Sequence, residues 1–257
     1  MAMHFAVLGH DAAYLASRLD LLVAIDAWAG AAARFHLVVL KEQDAAHLRA
    51  APLVLPSNRT SIHSISSLPA DALSLHHFMT ANTTSGPGAI PCWKLLVPFL
   101  PSLSAVDELI FLDSDMLLLD DPAHLWAHFG RFSSNHLLGL ALNHDGITGL
   151  NSGVLLMKLD RMRGVQSDWA RALRTGVREL RRKRGIRLGW LADQTFLSLL
   201  TAWEFGEVGR RPDKQLFTPD RAPLYDRSAR ASCPQGTPHV PKPTREPGAK
   251  SHSTLLC

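Results

Sequence analysis

The run Ile110-Phe111-Leu112-Asp113-Ser114-Asp115-Met116-Leu117-Leu118-Leu119 sets two carboxylates inside an otherwise apolar decapeptide. Bounded by Asp107-Glu108 before it and Asp120-Asp121-Pro122 after it, it reads as a strand buried on both faces, as in the parallel sheet of an α/β protein. An unpaired carboxylate in such a place takes up a proton or finds a cation. Asp113 and Asp115 are therefore expected where the strand ends at a solvent-accessible crevice. In extended chain, residues two apart point to the same side, so both acids can reach one ion while Ser114 faces away. Hard oxygen donors of this kind suit Mg²⁺ or Mn²⁺, which keep positions open for water or phosphate. The competing account makes one aspartate a cap or turn residue and the other a surface acid.

The opening segment His4-Phe5-Ala6-Val7-Leu8 is a short apolar run closed by Gly9-His10-Asp11, and Ala12 to Ala33 then carries leucines at helical spacing. Strand, glycine turn and helix open a nucleotide-binding α/β unit. On that reading the backbone at Leu8 and Gly9 lies against a base, and Asp11 accepts a hydrogen bond from base or ribose; a turn with no ligand fits equally well. A second buried strand is expected over Phe35 to Leu40 and a weak helix near Asp44 to Ala50, while 52–88, rich in Ser, Pro, Asn and Thr, reads as irregular chain around one short strand. Trp93 to Pro101 reads as a short amphipathic helix stopped by proline, which sets Lys94 either toward the two acids or into solvent. Asp121-Pro122 starts a helix, Leu137 to Leu142 is a strand, and Asn151-Ser152-Gly153 precedes another, thoroughly apolar strand. That arrangement presents an amide and a hydroxyl at a sheet edge without side-chain bulk behind them; a hairpin turn would also explain the glycine, though not so thoroughly apolar a strand after it. The spacing predicts a helix with a basic face from Asp168 to Leu188, and another begins at Asp193-Gln194.

The 257 residues, 46% hydrophobic and 19% charged, suffice for a real core. A formal charge of +4 is too mild to imply nucleic acid. No apolar stretch reaches the roughly eighteen residues that span a bilayer, and the chain begins directly with a strand-like segment, so it is expected to be soluble, without a membrane span, and cytoplasmic if taken as given, or else a piece cut free of its anchor. Cys92, Cys233 and Cys257 are far apart and lack zinc-like spacing. Asn58-Arg59-Thr60 and Asn82-Thr83-Thr84 are glycosylation acceptors that permit a secretory lumen. From Pro219 on, hydrophobic residues thin out and seven of the sixteen prolines collect, so 219–257 is expected to be a disordered tail.

Four segments in this order resemble glycosyltransferase family 8, the retaining nucleotide-sugar transferases of GT-A fold. They are the opening strand to Gly9, the stretch from Trp93 through Asp113-Ser114-Asp115 to Trp126, the run Asn151 to Met157, and Asp193-Gln194. The continuation Lys158-Leu159-Asp160-Arg161-Met162-Arg163, with Arg211-Pro212-Asp213 downstream, looks most like the glucoside xylosyltransferase branch. The resemblance implies a Rossmann-like α/β domain over 1–218, a mixed, mostly parallel sheet flanked by helices, incomplete at its C-terminus. It assigns Asp113 and Asp115 to a Mn²⁺ (or Mg²⁺) that bridges the diphosphate of a UDP-sugar. Leu8, Gly9, Asp11, Lys94, Ser114, Asn151 and Ser152 would bind the donor, while Asp193 and Gln194 would lie at the sugar and its anomeric carbon. The acceptor would be a glycan or glycoprotein hydroxyl, and the setting the Golgi or endoplasmic reticulum lumen.

Lys94 stands where the family usually has arginine, and a lysine cannot make a bidentate phosphate contact. The family's third metal ligand, a histidine near the C-terminus, has only His239 and His252 as counterparts, both in the proline-rich stretch. An alternative is therefore a weak or inactive relative that binds UDP or acceptor without turnover. A phosphohydrolase of the haloacid dehalogenase type would need threonine at 117, where this chain has Leu117.

Overall fold

Strand β1 (Met3–Gly9) is the hub of a six-stranded sheet whose order is β3-β2-β1-β4-β6-β5. The computed structural model describes residues 2–81, 90–142, 150–164, 167–182, 193, 194, 196, 197 and 200. β2 (Ala33–Val39), β3 (Thr60–Ser64) and β4 (Glu108–Leu112) run parallel to β1, while β6 (Leu150–Lys158) is antiparallel to β4 and to β5 (Leu138–Leu142). The sheet is mixed and mostly parallel, as expected.

Alternation along each strand sends side chains to two cores. In β4, Ile110 and Leu112 join Phe5, Val7, Leu22, Ile25, Phe35 and Leu37 on one face. Leu109 and Phe111 join Ala6, Val38, Leu95, Leu96, Trp169 and Leu173 on the other. The first core is covered by α1 (Ala12–Ala16), α2 (Asp20–Ala29), α3 (Glu42–Ala50) and α5 (Pro122–Trp126). The second is covered by α4 (Ala70–Ala81), a 3₁₀ segment Ile90–Phe99, α6 (Leu159–Met162) and α7 (Asp168–Arg182). Trp169 is fully buried and its indole N–H donates to the Leu95 carbonyl at 2.9 Å, fixing α7 to the 3₁₀ segment.

Several local expectations need correction. The acidic run is not a strand to Leu119: β4 ends at Leu112, both aspartates lie in the turn beyond it, and Leu117 and Leu119 are exposed. The long helix from Ala12 is two helices, because the Ser17 hydroxyl and N–H fold back on the Tyr14 carbonyl and end the first. The stretch 52–88 holds a helix, α4, whose start signals Pro69 and Asp71 lie among turn-forming residues. The expected helix at Trp93 to Pro101 is instead a 3₁₀ segment, Ile90–Phe99, with Pro91 and Pro98 built in, since neither proline can donate an i→i−4 bond. The tail 219–257 and both candidate histidines, His239 and His252, lie outside the described residues. Among those described, no helix is long and apolar enough to cross a membrane.

Candidate active site

The chain leaves β1 toward β2 on one side and returns through β4 on the other, so the C-terminal ends of β1 and β4 diverge at a topological switch point, where α/β sheets bind ligands. Gly9 ends one strand and Asp113 follows the other. A methyl group on Gly9 would come within 2.7 Å of Leu15 Cβ, so the glycine is required by the close approach of α1. Asp11 caps that helix, its carboxylate accepting the Tyr14 N–H at 2.7 Å, and its second oxygen lies 3.0 Å from His10 Nε2. Leu8 is half-buried and packs against the second core.

At β4, the Asp113 N–H donates to the Gly153 carbonyl at 2.8 Å, which extends the ladder to β6 by one bond. The Asn151 amide oxygen accepts the Gly153 N–H at 2.8 Å. A methyl on Gly153 would stand 3.0 Å from that oxygen and 3.4 Å from Asp113 Oδ2. The glycine thus keeps an open notch between Asn151 and the first acid.

Lys94 lies beneath this notch and is 3% exposed. Its ammonium sits 2.8 Å from Asp113 Oδ1 and 3.0 Å from Asp193 Oδ2, and donates to the Ser152 carbonyl at 3.0 Å. Burial alone would depress this ammonium, yet the two carboxylates, Asp193 foremost, hold it above the ordinary lysine value. Asp193 is also 3% exposed; burial raises its carboxyl above the usual range, against the pull of Lys94, and the Ser152 side chain bonds to it. Burial likewise pushes up the neighbouring Cys92 thiol, which makes it a packing group and no nucleophile.

Asp113, Lys94, Asn151, Ser152 and Asp193 are therefore brought together, with Gln194 half-buried in the same helical turn as Asp193. Ser152 is buried with its side chain on Asp193, and Lys94 is neither solvated nor free for a phosphate. Asp115 is exposed in the turn, so the alternation of extended chain does not apply to the pair. Ser114 turns its hydroxyl to the Tyr14 hydroxyl at 3.1 Å, tying the acidic turn to α1. Tyr14 escaped the sequence reading; its place three residues after the capping Asp11, on the turn facing the crevice, was the available signal.

The donor set fits a divalent cation of the hard class. Asp113 keeps Oδ2 beside the Gly153 notch and is 43% exposed, and Asp115 adds a second carboxylate. Among the described residues no group of three His, Cys, Asp or Glu gathers, so two protein carboxylates are what these residues offer.

The mixed, mostly parallel six-stranded sheet, with Asp113 and Asp115 at its switch point, has the GT-A fold. Over part of its length the chain is similar to glucoside xylosyltransferases. Glucoside xylosyltransferase 2 of Xenopus laevis is 36% identical over 28% of this chain and 21% of its own length. Glucoside xylosyltransferase 1 of Gallus gallus is 28% identical over 43% of this chain and 30% of its own. The chain thus matches between a fifth and a third of the length of these relatives. The crystal structure of mouse xyloside xylosyltransferase 1 superposes with a TM-score of 0.59 at 20% identity, covering 80% of this chain and 83% of that one. The galactosyltransferase LgtC, solved with donor and acceptor sugar analogs, superposes at 0.54 with 18% identity over 76% and 69%. No family model matches the chain.

Proposed function

We propose that the chain is a metal-dependent glycosyltransferase that moves a sugar, xylose first, from a UDP donor to a hydroxyl of a glycan or glycoprotein with retention of configuration, in the Golgi or endoplasmic reticulum lumen. The observation that carries this reading is the convergence of Asp113, Asn151 and the Lys94–Asp193 pair at the switch point. Asp113 and Asp115 would hold Mn²⁺ or Mg²⁺, which supplies counter-charge to the departing diphosphate. The turn at Leu8, Gly9 and Asp11 receives the nucleoside, and Asp11 presents a carboxylate already held by its helix cap. Asn151, fixed by the Gly153 N–H, offers its amide to the sugar hydroxyls. Asp193 keeps lone pairs for the sugar beyond those committed to Lys94 and Ser152. Gln194 is a poor nucleophile, which favours same-face attack by the acceptor hydroxyl, its proton passing to the leaving phosphate. Preference for xylose over glucose rests on the likeness of residues 151–163 to the xylosyltransferase branch.

Calorimetry with UDP and Mn²⁺ tests the site, and UDP release from UDP-xylose and UDP-glucose tests the donor. The expected outcome is metal-dependent UDP binding that is lost in the double variant Asp113→Asn with Asp115→Asn. Equal binding by parent and double variant would refute the metal assignment. Binding without UDP release would favour the non-catalytic relative.

A further inference from the structure

Away from the crevice, β1, β2 and β3 each place one histidine on the same face of the sheet. His4 Nδ1 lies 2.9 Å from His36 Nε2, His36 Nδ1 3.0 Å from His63 Nε2, and His63 Nδ1 2.7 Å from the Ser102 hydroxyl. In the strand register His4 faces Arg34 and His36 faces Ser61, so each next histidine stands two residues further along its strand. The offset of two keeps all three on one face and makes a diagonal row. The rings of His4 and His36 stack at 5.2 Å and 22°. His36 is 5% and His63 4% exposed, whereas His4 opens at the strand's start onto a groove of about 350 Å³ that Asp107, Glu108, Trp126 and Lys158 also line.

A neutral imidazole has one N–H and one lone pair, so the row must be ordered throughout. Either every histidine carries its proton on Nδ1 and His63 donates to Ser102, or every one carries it on Nε2 and Ser102 donates to His63 Nδ1. One extra proton leaves each bond intact by turning the donors away from it in both directions. A second would set two cations in one buried row.

We propose that this row is an acid-sensitive latch: neutral, it clips β1, β2, β3 and the turn at Ser102 together, and on acidification its protonation opens them. The charges around it act mostly against protonation. Arg34, beside His4 in the register, opposes a cation there, Arg49 opposes one on His63, and His4 and His63 oppose one on His36; Asp107, at the His4 end, favours a cation. Burial first, then these neighbours, lowers His36 to about 3 and His63 to about 4, and lowers His4 as well. The sign follows. Below about pH 6.5 the unfolded chain takes up protons that the folded row refuses, so stability is full above that value and falls as pH drops toward 4. Ser102 comes just after the 3₁₀ segment that carries Lys94, so opening the row frees one end of the site's wall.

The test is a histidine NMR titration of the full chain, with thermal melts between pH 8 and pH 5. Two imidazoles are expected to stay neutral at pH 5 in the folded protein. Below pH 6 the folded-to-unfolded ratio should fall up to about a hundredfold per pH unit, tenfold for each refused proton. His36→Phe, which removes the central acceptor, should flatten that fall. If His36→Phe does not fold, His4→Gln at the half-exposed end should lessen the slope instead. Titration of His36 and His63 near 6.5, or an unchanged pH slope in whichever of these variants folds, would overturn the latch.

Discussion

Replacing Lys94 by methionine isolates what the buried cation does. Its three N–H groups meet Asp113, Asp193 and the Ser152 carbonyl within 3.0 Å, and a single ion pair at that distance is worth roughly 5–6 kcal/mol at an effective dielectric of 20. Desolvation of the lysine offsets part of that gain, so removing one partner of such a pair costs about 3–5 kcal/mol, most of it from the carboxylate left behind. Asp193 is that carboxylate, since Asp113 opens to solvent. At about 2–4 °C per kcal/mol for a domain of this size, the melting temperature should drop by roughly 6–20 °C. Asp193 should then meet its burial by taking a proton. A carboxyl whose folded-state pKa lies above its unfolded value stabilises when protonated, so the variant should lose less stability at pH 5 than at pH 8. Adding Asp193→Asn should restore most of the loss, because the orphaned charge is gone. Calorimetric melts of the parent, both single variants and the double variant close the cycle. A Lys94→Met loss below about 1 kcal/mol, or additive effects in the double variant, would refute the account of Lys94 as the strut between the two acids.

Two further substitutions address the glycines of the crevice. Gly9→Ala should destabilise the chain by about 1–3 kcal/mol, because the new methyl meets Leu15 close to its backbone and α1 cannot move without breaking the Asp11 cap; a melting temperature equal to the parent's would count against that packing. Gly153→Ala should leave the melt nearly unchanged yet weaken Mn²⁺-dependent UDP binding several-fold, since the methyl crowds Asn151 and fills the notch beside Asp113 Oδ2. Titration calorimetry that returned the parent's affinity would show the notch to be unused.

The acids at 113 and 115 were legible because a charge amid Ile110 to Leu119 has few physical outlets. Most of the sheet was legible because its strands are apolar runs bounded by turn residues; β3, Thr60–Ser64, is polar and was expected only as one short strand within 52–88. Lys94 was not, because sequence spacing leaves a lysine free to face either way, and only the fold shows that Asp193 comes from far along the chain to meet it. The end of β4 was misjudged because Met116 is buried again after the turn and continues the apolar pattern without continuing the strand. Helix α4 was missed because its twelve residues carry little apolar asymmetry, so the Pro69 signal stood without periodic support. The histidine row was invisible in principle, since parallel register and not sequence distance brings 4, 36 and 63 together.

The sheet order also dictates a schedule for synthesis. β1 can pair with β2 as soon as residue 39 is out, but its other edge waits for Phe5 to meet Ile110, about seventy residues later. At ribosomal rates of 5–20 residues per second that edge then stays open for roughly 4–14 s. During this interval a parallel three-strand unit, histidine strands included, can exist with its most apolar strand unpaired on one side, the condition in which nascent chains recruit one another. The crevice is thus completed only after the β1–β2–β3 half of the sheet has been standing ready, and a chaperone that covers the free edge of β1 would govern how many chains reach that stage.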